Sequence, residues 1–148
     1  MSKARGWNQR VLDSIISGKP MTPAPKKSKP PIPLETTIQQ NCITWFKYQH
    51  NALWNDGVLF HIPNEGIRLG ATGKRMKSEG IVRGVADICL ALGRHGFHAL
   101  YIEMKRPGNY QSDYQKAWES GITKHGNKYV VCKSLEEFKA LINWYLND

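Results

Sequence analysis

The chain has 148 residues, enough for one compact domain with its own core and too few for two. A hydrophobic share of 41% and a charged share of 22% are those of a globular protein, and no uninterrupted apolar run approaches the roughly 18 residues of a membrane span. The formal net charge of +9, with a sequence pI near 9.6, favours a polyanionic partner, either nucleic acid or an anionic membrane surface.

The first residues, Met1-Ser2-Lys3-Ala4-Arg5, begin like a signal peptide, but no apolar segment follows them. Cys42, Cys89 and Cys132 are odd in number, widely spaced and set among apolar residues. They predict buried, reduced thiols in a cytosolic protein, and neither a disulfide framework nor a zinc site.

In chain order, Trp7, Val11, Leu12, Ile15 and Ile16 recur at helical spacing until Gly18 and Pro20 stop the pattern. This short amphipathic helix either docks on the main domain or on a partner subunit, or acts as a DNA-contacting arm. Residues 20–33, PMTPAPKKSKPPIP, read as an extended, solvated linker. The division predicted is therefore a basic arm and linker over 1–33 and one domain over 34–148. Residues 1–34 hold seven cationic residues and one acid, net +6; residues 35–148 hold fourteen against eleven, net +3. Most of the positive balance lies outside the domain.

Residues 35–49 predict a helix with Ile38, Cys42, Trp45 and Phe46 on one face. Residues 58–62 predict a strand closed by Pro63. Residues 64–84 are Gly-rich and basic and read as a long functional loop, in which Arg68, Lys74, Arg75, Lys77 and Arg83 are candidate phosphate contacts. The apolar runs 85–92 and 97–105, separated by Gly93-Arg94-His95-Gly96, predict a β-hairpin. Ser112-Asp113-Tyr114-Gln115 has the form of a capping box opening a helix to about residue 125, where Gly126 ends it. Residues 128–133 form a further strand. Ser134-Leu135-Glu136-Glu137 is a second capping box, for a C-terminal helix with Phe138, Leu141, Ile142 and Tyr145 inward. The order is α-β-β-β-α-β-α: an α/β fold with a small mixed sheet flanked by helices.

The chemistry concentrates in this hairpin. Side chains alternate along a strand, so Glu103 and Lys105 share one face and Met104 takes the other. Pairing of the two runs brings Asp87 close to Glu103. Two carboxylates beside an ammonium can bind Mg²⁺ while leaving room for water and a phosphate oxygen, and can support phosphodiester hydrolysis. A Glu-x-Lys triplet alone carries no weight. Its weight comes from the acid on the preceding strand, the apolar lead-in Ala99-Leu100-Tyr101-Ile102 and the capping box that follows, and the competing reading is an incidental pair at a solvated strand end.

Gly84-Val85-Ala86-Asp87, Leu100-Tyr101-Ile102-Glu103-Met104-Lys105, Gln115 and Tyr129-Val130-Val131-Cys132 together resemble the VRR-NUC domain of the PD-(D/E)xK nuclease superfamily. The likeness covers about residues 33–146 and takes in the helix start at Glu35 and the stretch Phe60-His61-Ile62-Pro63-Asn64-Glu65-Gly66. The resemblance implies a restriction-endonuclease-like core and a Mg²⁺- or Mn²⁺-dependent deoxyribonuclease. Stand-alone proteins of this kind, from phage and bacteria, are proposed to cut branched DNA such as four-way junctions as homodimers.

In these terms Asp87 and Glu103 are metal ligands, Lys105 is the catalytic lysine, and Met104 offers its backbone carbonyl to the metal. Glu35 matches a further acidic ligand, although an acid at a helix start is also favoured by the helix dipole. Gln115 matches the family's helix glutamine, although it also completes the capping box with Ser112. Two positions depart from the pattern: Ala86 stands where proline is usual, and Asn109-Tyr110-Gln111 where small and basic residues are usual.

Other signals are weaker. His61, His95 and His98 lack companions at metal-site spacing, and Gly66, Gly70 and Gly73 lack the Lys-Ser/Thr pair of a phosphate-binding loop. Trp45, Trp118 and Trp144 sit at helix-core spacing and predict packing. Two further function classes stay open. One is a non-catalytic nucleic-acid-binding module using the arm and loop 67–83; the other is an interaction protein whose arm binds an acidic partner.

Overall fold

The computed structural model describes residues 31–63 and 78–147. The chain divides into Met1–Pro31 and Ile32–Asp148, and the fold described here is that of the second unit. The predicted arm helix, nearly all of the linker, and Arg68, Lys74, Arg75 and Lys77 lie outside the described residues.

Helix α1, Glu35–Gln49, starts directly after the extended Leu34, and no side chain caps it. Glu35 in its first turn and Lys47 in its last oppose the helix dipole favourably. Ile38, Cys42 and Phe46, four residues apart, form its buried stripe. At His50 the chain turns into a single-turn helix α2, Asn51–Asn55, in which Asn55 Nδ2 donates to Asn51 Oδ1 (3.0 Å). The sequence pattern does not contain this element, because α2 buries no residue and so leaves no apolar period.

Four strands follow: β1, Leu59–His61; β2, Ile88–Leu90; β3, Leu100–Met104; and β4, Lys128–Cys132. They lie side by side in chain order, antiparallel for β1–β2 and β2–β3 and parallel for β3–β4. Helix α3, Asp113–Thr123, makes the crossover between the parallel strands, and α4, Leu135–Leu146, closes the chain. The mixed sheet flanked by helices is as expected, with α2 as the one addition among the described residues.

The hairpin ladder is shorter than the apolar runs suggest. Only Ile88–Leu90 and Leu100–Met104 are strand, and Arg94 pairs with Phe97 in an isolated bridge across a turn where His95 (φ 52°) and Gly96 (φ 79°) are left-handed. Beyond that turn the chain changes partner. The His98 amide donates to Gly126 O (2.9 Å) and the Lys128 amide to Ala99 O (2.9 Å), so the approach to β3 pairs with the α3–β4 turn.

Leu100, Ile102 and Met104 project from β3 into one core with Ile88, Leu90, α1 and α4. Phe138, Ile142 and Tyr145 supply the α4 side, and the Tyr145 hydroxyl donates to Leu92 O (2.8 Å). On the opposite face Trp118 of α3 meets Tyr101 and Tyr129 edge-on, at 5.0 and 6.0 Å between centroids. The three cysteines are free and buried. Trp45 packs on Phe138, but Trp144 does not enter the core: it is 46% exposed and stacks on His95 at 4.7 Å. Helical spacing places it one position outside the stripe that Ile142 and Tyr145 fill.

Both capping signals are present, one with a shifted partner. Ser112 Oγ accepts from the Gln115 amide (3.3 Å) and Gln115 Oε1 accepts from the Ser112 amide (2.8 Å), a full capping box. Ser134 Oγ accepts from the Glu137 amide (3.1 Å), yet Glu137 Oε2 takes the amide of Lys133 (2.6 Å), one residue before the cap.

Gly84 is required by its surroundings. Its φ is +81°, and a Cβ there would stand 2.3 Å from the carbonyl oxygen of Tyr114. Gly84→Ala should therefore cost about 2 kcal/mol or more through left-handed strain and a backbone collision that no rotamer relieves. Urea denaturation measures it; a midpoint equal to that of the unsubstituted protein would contradict the assignment.

Candidate active site

The site forms where β2 begins and β3 ends. Ile88 pairs with Ile102, which sets Asp87 opposite Glu103 on the neighbouring strand, both on the α3 face of the sheet. The Met104 amide donates to Asp87 Oδ2 (2.8 Å) and fixes that carboxylate across the hairpin. The Met104 side chain is fully buried in the opposite core, as the alternation along the strand requires.

Glu103 is fully buried. Its Oε1 accepts from Lys105 Nζ (2.6 Å) and from Gln115 Nε2, while the Tyr129 hydroxyl points to Oε2 at 3.4 Å. Gln115 thus unites two roles that sequence reading leaves as alternatives: its oxygen caps α3 and its NH₂ holds the Glu103 carboxylate. One primary amide can do both because its donor and acceptor point apart.

Glu35 reaches the same place from the start of α1. Its Oε1 lies 3.6 Å from Lys105 Nζ, and its Oε2 accepts from the Arg106 amide (3.2 Å). So Asp87, Glu103, Lys105, Glu35 and Gln115 all converge, and Met104 meets them through its backbone. Arg83 stacks on the ring of Tyr114, the residue before Gln115.

The electrostatics are those of a site short of positive charge. Burial, reinforced by the neighbouring charges of Asp87 and Glu35, pushes the Glu103 carboxyl up to about 7 despite the Lys105 hydrogen bond. Burial likewise raises Asp87, with the Met104 amide and Lys105 opposing. For Lys105 burial acts downward, but the hydrogen bond and charge of Glu103, with Glu35 and Asp87, raise it on balance. Three acids share one lysine, and Asp87, Glu103 and Glu35 are the side chains that could hold a cation here. Among the described residues no group of three His, Cys, Asp or Glu side chains stands ready-made around a single point. Glu35 and Glu103 are both turned toward Lys105, so a metal would take carboxylate oxygens that the lysine shares.

Two contributors were not singled out from sequence. Tyr129 belongs to the site only through the parallel register that sets it beside Tyr101, two residues before Glu103 on the same face. His61 Nδ1 lies 2.8 Å from the Asp87 carbonyl oxygen and 2.9 Å from Gln39 Nε2, bracing the backbone at Asp87. The available signal was that both residues lie in segments the resemblance includes, without a role assigned to either. His95 and His98 stand elsewhere, against Trp144 and Gly126. A cleft of about 570 Å³ opens beside Asp87 and Glu35, lined further by His61, Thr36, Gln39 and Gln40.

Among solved structures, one described as a VRR_NUC domain protein matches with a TM-score of 0.67. The match covers 78% of this chain and 90% of the other at 23% sequence identity. The chain is folded like a VRR_NUC domain protein. No family model and no curated protein matches the chain. The VRR_NUC-like fold places the Asp87 and Glu103 strands side by side at one rim of the sheet, with α1 and α3 delivering Glu35 and Gln115 from opposite faces. Among the described residues no helix is long and apolar enough to cross a membrane.

Proposed function

We propose that this protein is a metal-dependent endonuclease that hydrolyses DNA phosphodiester bonds. The observation that carries the reading is the fully buried Glu103, opposite Asp87 and bonded to Lys105 at 2.6 Å, in a cluster with more acid than one lysine can balance. An incidental strand-end pair would be solvated, whereas this one is desolvated and held by Gln115 and Tyr129.

Asp87, Glu103, Glu35 and the Met104 carbonyl are the groups that would hold Mg²⁺ or Mn²⁺. Bound there, the ion supplies a water of lowered pKa and offsets charge on the phosphate. Lys105 Nζ orients the attacking water and stabilises the charge that develops on phosphorus oxygens. The water oxygen bonds to phosphorus as its proton passes to solvent, and the bond to the leaving sugar oxygen breaks as that oxygen takes up a proton from solvent. Gln115 holds the Glu103 carboxylate in place throughout. The fold and the sequence resemblance support DNA as substrate. The resemblance supports a branched form of it and a homodimer as the acting species, two sites related by a twofold axis suiting paired cuts.

The test is cleavage of labelled linear, flapped and four-way DNA with Mg²⁺, Mn²⁺ or chelator. Cleavage of at least one substrate with metal, lost with chelator and in Asp87→Ala, is expected. No cutting under any metal, or equal cutting by Asp87→Ala, overturns the proposal. Mobility shifts that persist without cleavage would then identify a binding module.

A further inference from the structure

Two exposed tyrosines stand at the rim of the site, each beneath a cation, and the proposed hydrolysis uses neither. Tyr110 is 81% exposed and Tyr114 52%. The Arg83 guanidinium lies 3.8 Å from the Tyr114 ring centroid, and Lys133 Nζ lies 5.0 Å from that of Tyr110.

Both pairs are tied to the site by backbone. Tyr114 directly precedes Gln115, which holds Glu103. Gly84, next to Arg83 and three residues before Asp87, lies against the Tyr114 carbonyl. Lys133 follows Cys132, whose carbonyl accepts the Lys105 amide (2.9 Å). The rim therefore runs Asp87, Glu103 and Lys105, Lys133 across β2, β3 and β4, with Tyr110 on the segment between β3 and α3 and Tyr114 in the first turn of α3.

The chemistry of such a rim is selective. A paired duplex hides its base faces in its own stack and offers an exposed ring only phosphates and groove edges. An unpaired strand offers both phosphates and open base faces, and rings interleaved with cations bind it regardless of sequence. We propose that Tyr110 and Tyr114, with Lys133 and Arg83, form a platform for an unpaired stretch of strand beside the scissile phosphate. Bases stack on the rings and phosphates meet the cations. Calling that phosphate scissile rests on the nuclease reading; the platform itself does not. Among branched substrates it favours those with a single-stranded arm.

The test is fluorescence anisotropy of the full chain with labelled 15-nucleotide dT and a 15-base-pair duplex, in chelator at physiological salt. Under these conditions cleavage plays no part, and the basic N-terminal residues contribute to both ligands. The Tyr110→Ala, Tyr114→Ala double variant should lose about tenfold in affinity for dT, the scale of base–aromatic stacking, and keep its duplex affinity. The corresponding Phe double variant should bind dT like the unsubstituted protein. Unchanged dT binding by the Ala variant, equal loss for both ligands, or no dT binding by the unsubstituted protein overturns the platform. Ring-dependent dT binding without cleavage under any metal sustains the platform while the nuclease reading fails. Metal-dependent cleavage with ring-independent binding does the reverse.

Discussion

Glu103→Gln should lower kcat for DNA cleavage by about 10³-fold or more while leaving the fold intact. The substitution keeps the shape and one oxygen of the side chain, so Lys105 and Gln115 retain an acceptor. What disappears is the charge. The cluster of Glu35, Asp87 and Glu103 loses the member that is fully buried and lies closest to the lysine, and with it the attraction for a divalent ion. Lys105, whose charged form Glu103 supports, is also left weaker as a fixed cation. The loss corresponds to about 4 kcal/mol of transition-state stabilisation. Steady-state cleavage of the best substrate measures it, with Glu136→Gln, an acid in the first turn of α4, as the unaffected control. More than a tenth of normal activity in Glu103→Gln would remove this carboxylate from the mechanism.

The same residue should make the metal-free protein less stable as pH rises from 4.5 to about 7. Glu103 is held protonated in the fold up to about 7, against 4.5 for its ordinary value, because burial penalises the charged form. The folded state then binds more protons than the unfolded one across that window, and stability falls with increasing pH. The scale is about 3 kcal/mol, from about 1.4 per unit of pKa. Asp87, raised by its own burial, acts in the same direction. Lys105 does not contribute there: a raised ammonium adds stability at lower pH and loses it only on the alkaline side, above 10.5. Cys42 and Cys132, pushed up to about 12 by burial, likewise weaken the fold only above 9. Urea denaturation in chelator at pH 5 and pH 8 should show the fall in the unsubstituted protein and a clearly smaller one, due to Asp87, in Glu103→Gln. The variant that abolishes cleavage should thus be the more stable apoprotein at pH 8. Equal pH dependence in the two proteins would refute this account of the site.

That opposition between activity and stability explains why the site was partly legible before the fold. A buried acid is an expensive feature, and Glu103 stood out because a Glu and a Lys end an apolar strand whose hairpin partner carries Asp87. Strand alternation and hairpin pairing require only local chain geometry, and both readings agree with the structure. Glu35 and Gln115 were harder. Glu35 meets Arg106 across 71 positions of sequence, and for Gln115 the residues alone leave a site role and a capping role as alternatives, which its two hydrogen bonds combine. Tyr129, 26 positions from Glu103, belongs to a strand that the resemblance includes, but its contact with Glu103 was not legible, since its place depends on the register of two parallel strands.

The fold divides along the same line. Helix starts at Ser112 and Ser134, the buried stripes of α1 and α4 and the order of strands were determined by the sequence alone, because caps and periodicity act within a few residues. The strand ends, helix α2, the outward position of Trp144 and the shifted partner of Glu137 were decided by the tertiary structure. In each of those cases two local arrangements were nearly equivalent, and a neighbour distant in sequence selected one. For Asp87, Glu103 and Lys105 the sequence determined which groups share a face. Only the packing of α1 and α3 on opposite sides of the sheet decided that Glu103 and Lys105 would be buried with Asp87 half-buried beside them, and burial is what shifts the titration of both acids.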